Sequence, residues 1–593
     1  MKKIRNFAIL AHIDHGKSTL ADRFLEITQT VPKEKIAPQY LDRLTVEREK
    51  GITVKLSPVR MDYKGYVLNL IDTPGHVDFS YEVSRSLACV EGAILLVDGT
   101  KGIQAQTISN FYLAKNENLS LIPVINKIDL PQAEVEEVAQ DLIYSFGFGR
   151  EELIFVSAKL GSGVENVLDA VIEKIPPPVG DSSLPLRALI FDSFFDSFKG
   201  VVGMIRVFDG SLRTGDKIKM IGTEASNQIK EVGIFNPDLK PKADLVAGEI
   251  GFIETGLKEI ALTKVGDTIT NVDKPTDAPL KGFKEIKPYV YVGIYPTSQE
   301  DFTNLKSSLE KLSLNDASLS VTFESSLALG AGFRCGFLGM LHFEVTLERL
   351  EGEFNLDLIC TPPNVEYKVI VLGKDAKGEE ILVDSPASFP ETQKILKVLE
   401  PTLSAKVITP SGYLGLVSEL IHLKRGKVKE TVSLGDNLIF EFEIPLSELI
   451  FEFYDHLKAK TSGFASLDYE VLGFQEVKVE KIDILVSGEK IDALSIISPK
   501  ETSYKAGKKL VEKLKMVLPR SQFEITIQAK VGGRIIASEK VPSYRKDVLA
   551  KLYGGDRTRK DKLLEKQKLG KKKMKMLGKI EVPKEVFLKL LKI

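Results

Sequence analysis

Eight residues near the N-terminus, Ala11-His12-Ile13-Asp14-His15-Gly16-Lys17-Ser18, have the spacing of a phosphate-binding loop. An apolar run, Phe7 to Leu10, precedes them and a helical one, Ser18 to Ile27, follows, which is the strand, loop and helix such a site requires. Backbone N–H groups from Asp14, His15 and Gly16 through Thr19 would cradle phosphate oxygens at the positive end of that helix. Lys17 would reach the β- and γ-oxygens as a mobile point charge, and the Ser18 hydroxyl would ligate Mg²⁺. Ala11 stands where these loops usually begin with glycine, so the backbone there has to avoid a positive φ.

Four further strings follow in an order that gives this loop a nucleotide. Arg48-Glu49-Lys50-Gly51-Ile52-Thr53 reads as a switch loop whose Thr53 hydroxyl and carbonyl sense Mg²⁺ and the γ-phosphate, although a threonine in a charged loop is by itself also an ordinary solvated residue. Asp72-Thr73-Pro74-Gly75-His76 ends the apolar strand Val67 to Ile71, which sets Asp72 to hold a Mg²⁺-bound water and the Gly75 N–H near the γ-phosphate. Asn126-Lys127-Ile128-Asp129 ends the strand Leu121 to Ile125. The Asp129 carboxylate can accept from guanine N1–H and the N2 amine, donors that adenine lacks, and a buried acceptor left unpaired discriminates by roughly 10⁴-fold. Ser157-Ala158-Lys159, after Leu153 to Val156, would give a backbone N–H to guanine O6. Together the five strings imply GTP as substrate, GDP as product and Mg²⁺ as cofactor.

His76 takes the place where small GTPases carry the glutamine that orients the attacking water. Ile13 and Ile52 are candidates for an apolar gate that keeps the imidazole from water until a partner opens it; ordinary packing is the plain alternative for both. No built-in arginine finger is evident, so turnover should be slow alone, about 10⁻⁴ to 10⁻² s⁻¹, until something external completes the site.

With these residues the chain resembles the translational GTPases, and within them the LepA, or elongation factor 4, family. The resemblance covers almost the whole sequence. It implies the 70S ribosome, through ribosomal RNA and proteins, as activator and tRNA as a further partner. It also implies a monomer in solution and a cytoplasmic location of bacterial type. The catalytic set it implies is Lys17, Thr53, Gly75 and His76, with Ser18, Thr53 and, through water, Asp72 at the metal. The task it suggests is moving tRNAs one codon backward on stalled or mistranslocated ribosomes, which would support fidelity under stress. A BipA-like GTPase, or a nucleotide-switched binding factor in initiation or ribosome assembly, is the alternative.

The elements that must position these residues follow from length and composition. At 593 residues the chain has room for about four domains. With 43% hydrophobic and 27% charged residues it reads as globular. Cys89, Cys335 and Cys360 are scattered, which suggests neither a disulfide frame nor a zinc site. The basic and apolar N-terminus breaks at His12 and runs into the phosphate loop, unlike a signal peptide, and no stretch reaches the ~18 apolar residues of a membrane span.

The expected fold is multidomain, α/β and β. A P-loop GTPase domain over 1–180 stops at Ile175-Pro176-Pro177-Pro178. Gly-punctuated short strands over 186–281 suggest a translation-factor β-barrel. Strands alternating with helices over 287–370 suggest a ferredoxin-like α+β domain, and 400–480 a second one like the fifth domain of elongation factor G. Residues 481–593 have no counterpart in that factor and suggest a family-specific basic domain.

Within that last region Arg534, Tyr544, Arg545, Lys546, Tyr553 and Arg557 mix basic and aromatic groups, as a single-stranded RNA platform does. Fifteen Lys/Arg against four Asp/Glu between Lys540 and Lys579 concentrate positive charge in a chain whose net charge is −1, so binding to tRNA or ribosomal RNA should depend strongly on salt. A solvated charged helix is the bland reading. Phe587, Leu588, Leu590 and Leu591 beside lysines also suit peripheral contact with an anionic membrane, on the cytoplasmic face of the inner membrane.

Overall fold

The computed structural model describes all residues except 197, 258–261, 277, 282–286, 317, 327, 373–377, 451–452, 545–560, 569–585, 588–589 and 591–593. In the N-terminal domain the elements run β1 (Ile4–Ala11), α1 (Lys17–Ile27), α2 (Thr45–Lys50), β2 (Ser57–Tyr63), β3 (Tyr66–Asp72), α3 (Ser80–Leu87), β4 (Gly92–Asp98), α4 (Ala105–Asn116), β5 (Ser120–Asn126), α5 (Val135–Phe146), β6 (Ile154–Phe155) and α6 (Val164–Lys174). They form one sheet in the order β2-β3-β1-β4-β5-β6, parallel except for β2. Parallel strands covered by helices on both faces need apolar side chains throughout, and every residue of β1 and β4 is buried. The C-terminal ends of β1, β3 and β5 therefore meet along one edge, and from these ends the phosphate loop, the Asp72–His76 string and the Asn126–Asp129 string depart.

A β-barrel follows, an eight-stranded sheet running from Arg187–Asp196 to Thr268–Asn271 in sequence, with a two-stranded ribbon of Ser211–Arg213 and Asp244–Val246. It docks on the GTPase domain through a shared core, where Leu189, Phe191 and Ile250 pack with Ala8, Leu10 and Ile71. The Arg206 guanidinium, buried at that junction, pairs with Glu91 at 2.7 Å.

Two α+β units come next. In the first, Val290–Pro296, Ser320–Ser326, Gly330–Phe337 and Leu358–Cys360 pair in the spatial order second, third, first, fourth, with helices Phe302–Ser313 and Met340–Gly352. In the second, Ile395–Pro410, Lys427–Leu434, Asn437–Pro445 and Ser466–Glu476 repeat that ferredoxin-like order. Its sheet is extended by the hairpin Tyr367–Leu372 and Gly378–Val383, so Lys368 to Ile370 pair with Lys397 to Leu399 of the later unit, although the bounds 287–370 place them in the earlier one. The strand Gly330–Phe337 takes in Gly336, and the second helix starts at Met340.

The C-terminal region builds a four-stranded antiparallel sheet from Val479–Val486, Glu489–Pro499, Ile525–Val531 and Arg534–Val541, covered by the helix Ser503–Val517. Val586 and Phe587 are buried in the core of this sheet, together with Tyr295 and Ile359 of the first α+β unit. Among the described residues no helix is long and apolar enough to cross a membrane.

Candidate nucleotide site

The phosphate loop is held open by two left-handed residues, Asp14 at φ 66° and Gly16 at φ 93°, while Ala11 ends β1 in ordinary extended backbone. That is how a residue with a Cβ fits at Ala11: the turn is made three residues later. Gly16 also faces Asn126, and a Cβ on it would lie 2.4 Å from Asn126 Nδ2, so only glycine satisfies both the angle and the space. No side chain caps α1, which leaves the N–H groups of its first turn directed at the loop that must hold the phosphates.

The base-recognition strings are bound to this loop from below. Asn126 Nδ2 donates to the His15 carbonyl at 2.8 Å, and its Oδ1 accepts the Ala158 N–H at 2.9 Å, so one amide side chain ties the phosphate loop to the Ser157–Lys159 turn. Lys127 Nζ donates to the Asp14 carbonyl at 2.6 Å and pairs with Asp98 at 2.7 Å. Asp129 is half-buried just beyond β5, and the Ile128 N–H reaches the Val156 carbonyl at 3.4 Å, bringing the two base loops side by side. His15 is fully buried beneath them, and burial pushes its imidazole well below the usual value.

At the phosphate end Lys17 Nζ donates to Thr53 Oγ1 at 2.7 Å and to both Asp72 oxygens at 2.8 Å. Ser18 Oγ is 3.5 Å from Thr53 Oγ1. The Thr53 hydroxyl donates in turn to Asp42 Oδ1 at 2.7 Å, a residue that carries no motif in the sequence. Thr53 is fixed in place by Glu47, whose carboxylate accepts the Leu44, Val54 and Lys55 N–H groups. Burial raises the Asp72 carboxyl despite the pull of Lys17, and the nearby Asp42 raises it further.

Two buried carboxylates and two hydroxyls are thus linked through Thr53 and the Lys17 ammonium into one cluster, and the buried Asp42 Oδ2 has no hydrogen-bond partner. This hard-oxygen, net-negative set fits Mg²⁺, which Ser18, Thr53 and Asp72 would hold; the ion would neutralise charge on the β- and γ-phosphates when bound.

Gly75 packs on the phosphate loop, where an added Cβ would sit 3.3 Å from the Ala11 carbonyl. His76 follows, 19% exposed, its Nδ1 accepting the Asp78 N–H at 3.1 Å. Burial lowers the His76 pKa, against a smaller pull upward from Asp78, so the ring is neutral with its proton on Nε2. Ile52 packs with Val46, Val54 and Phe79 against Val345 and Leu341 of the first α+β unit, while Ile13 is half-buried on the phosphate loop and lies outside that cluster. The two isoleucines therefore have different neighbours.

Comparison with known proteins agrees with this geometry. The family model for the elongation factor Tu GTP binding domain matches residues 2–177, and that for elongation factor Tu domain 2 matches 200–270. The elongation factor G C-terminus matches 397–485, and the GTP-binding protein LepA C-terminus matches 486–592. Elongation factor 4 of Acetivibrio thermocellus is 50% identical over 599 residues, covering 100% of this chain and 99% of its own. The chain belongs to the elongation factor 4 (LepA) family. Members from Porphyromonas gingivalis and Bacillus subtilis are 51% and 49% identical, each over 100% of this chain and 100% and 97% of their own. A solved protein of Thermus thermophilus, 17% identical with a TM-score of 0.56, covers 80% of this chain and 98% of its own and shares the fold. As a member of the elongation factor 4 family the chain is a ribosome-stimulated translational GTPase that uses GTP, GDP and Mg²⁺.

Of the RNA-binding candidates, Arg534 and Tyr544 are exposed, and the Tyr544 N–H reaches the Ser521 carbonyl at 2.9 Å. Arg545, Lys546, Tyr553 and Arg557 lie outside the described residues. Phe587, read from sequence as part of a membrane-facing side, is 2% exposed in the C-terminal core, with Leu590 packed against that core; Leu588 and Leu591 are outside the described residues. Phe587 is thus taken up by the protein core, which corrects the expectation for that residue. Asp42, Glu47 and Asp78 escape a reading of the sequence because single carboxylates in charged loops carry no spacing; their roles come from partners brought in by the fold.

Proposed function

We propose that this ribosome-stimulated GTPase moves tRNAs backward by one codon on stalled or mistranslocated ribosomes, using GTP to hold its later domains in a ribosome-bound arrangement that hydrolysis releases. In this reading Lys17 binds the β- and γ-oxygens, and Asp129 with the Ser157–Ala158 turn selects guanine. Asn126 and Lys127 brace the two loops, and the Gly75 N–H meets the γ-phosphate. Neutral His76 orients the attacking water through a ring nitrogen. Ile13 and Ile52 flank the path of that imidazole as a gate.

The observation that carries the reading is the convergence of Lys17, Thr53 and Asp72 within 2.8 Å, beside a His76 loop that itself touches both α+β domains. A charge change at the γ-phosphate is thereby joined to domain geometry. The exposed Arg534 and Tyr544, with the basic stretch after them, are proposed to contact tRNA or ribosomal RNA, and the protein to act as a cytoplasmic monomer.

Two measurements test this. Single-turnover GTP hydrolysis with vacant 70S ribosomes should be strongly stimulated for the wild type and lost in His76→Ala; equal stimulation of both would remove His76 from the mechanism. Mapping the ribosome's edge on messenger RNA should show post-translocation complexes stepping back one codon when the protein and GTP are added. An unmoved edge would favour the assembly or initiation role instead.

A further inference from the structure

Asp78 lies two residues after His76, is 7% exposed, and makes three contacts that run in three directions. Its backbone N–H donates to His76 Nδ1 at 3.1 Å. Its Oδ2 accepts the Leu341 N–H at 2.9 Å, from the first turn of the helix Met340–Gly352 in the first α+β domain. Its Oδ1 accepts the Tyr469 hydroxyl at 2.6 Å, from the strand Ser466–Glu476 in the second. Gly339 is packed so closely on this carboxylate that a Cβ there would lie 2.3 Å from it.

We infer that Asp78 is a positioning residue for hydrolysis, a clasp through which the two α+β domains hold the His76 imidazole in its resting orientation until one of them moves away. The inference rests on the catalytic reading of His76. While both domains grip the carboxylate, the Asp78 N–H is fixed and His76 Nδ1 stays tied to it. Parting Tyr469 from Asp78 leaves a loop held at one point, and the ring can then rotate.

Space for that rotation exists. A cavity of about 510 Å³ opens beside His76, lined by Gly75, Gln106, Lys406, Asp468 and Tyr469. The same strand is bound to the GTPase domain at two further points, the Ala105 N–H to Ser466 Oγ at 2.9 Å and the Ser109 hydroxyl to Asp468. A shift of the second α+β domain on the ribosome would therefore pull directly on the loop that carries the imidazole.

The test is GTP hydrolysis by the full chain with Tyr469→Phe, which removes one hydroxyl and keeps the ring, alongside His76→Ala and the double variant. Losing a hydrogen bond to a carboxylate should raise ribosome-independent hydrolysis about tenfold, with GTP affinity unchanged. The double variant should fall back to the His76→Ala rate. Gly339→Ala, which dislodges Asp78 from the other domain, should reproduce the rise. A Tyr469→Phe rate equal to wild type, or a rise that survives His76→Ala, would overturn the clasp. If His76→Ala retains full ribosome stimulation, the catalytic reading fails first and the clasp with it; if His76→Ala is inactive while Tyr469→Phe matches wild type, the clasp alone fails.

Discussion

At the scale of single residues, Asn126 is the side chain on which most of the nucleotide site hangs, although it lies between the phosphate and base loops and not at either end. Replacing it with Ala removes the bonds to the His15 carbonyl and the Ala158 N–H and leaves both groups buried. That should cost about 2–4 kcal/mol in urea unfolding and lower GTP affinity at least about tenfold by titration. The histidines of the phosphate loop set a pH limit. Burial lowers His12 from 6.5 to about 4 and shifts His15 in the same direction. The unfolded chain takes up protons near 6.5 that the folded loop refuses, so stability is full above that pH and declines as pH falls through it toward about 4. Buried carboxyls such as Glu82, raised to about 7, act in the opposite direction over the same range, so the histidine contribution is read as a difference: the urea midpoint of the wild type relative to His15→Asn should fall between pH 7.5 and 5.

At the scale of elements, the helix Met340–Gly352 reads both switch loops at once. Val345, on its buried side, packs with Val46 and Val54 around Thr53 and with Phe79 beyond His76. Lys50 pairs with Glu348 at 2.9 Å on the solvent side of the same contact. The two kinds of contact differ in weight, because a half-exposed ion pair is screened and an apolar cluster is not. Val345→Ala should therefore cost about 2 kcal/mol in urea unfolding, and Lys50→Ala less than about 1 kcal/mol. Equal costs would mean that charge, not packing, binds this helix to the switches.

At the scale of the whole molecule, positive charge gathers late in the sequence, after the residues of the candidate nucleotide site. The chain carries 81 Lys and Arg against 82 Asp and Glu, yet the stretch from Lys540 to Lys579 has fifteen against four. Substituting Lys571, Lys572 and Lys573 with Gln should weaken ribosome binding most at low salt, and the log-log salt slope should shrink by about one for each phosphate that is no longer neutralised. Hydrolysis without ribosomes should stay unchanged, since the nucleotide site is built from residues up to Lys159. An unaltered salt slope would assign these lysines to solvent.

The sequence by itself determined the nucleotide chemistry. Lys17, Ser18, Thr53, Asp72, Asn126 and Asp129 stand out in it as candidates because their strings keep a fixed order around apolar strands, and a parallel sheet brings the ends of such strands to one edge. It also determined the order of the barrel and the two α+β units, whose periodicity and glycine punctuation are local. Only the tertiary structure decided what surrounds these residues. Asp42 meets Thr53, and Asp78 meets Leu341 and Tyr469, through contacts that depend on how loops and domains pack. The hairpin at Tyr367 joins the later sheet because strand pairing is chosen by hydrogen bonds across the sheet, which periodicity does not encode. Phe587 is buried for a similar reason: an apolar side is written in the sequence, but its partner is set by the fold.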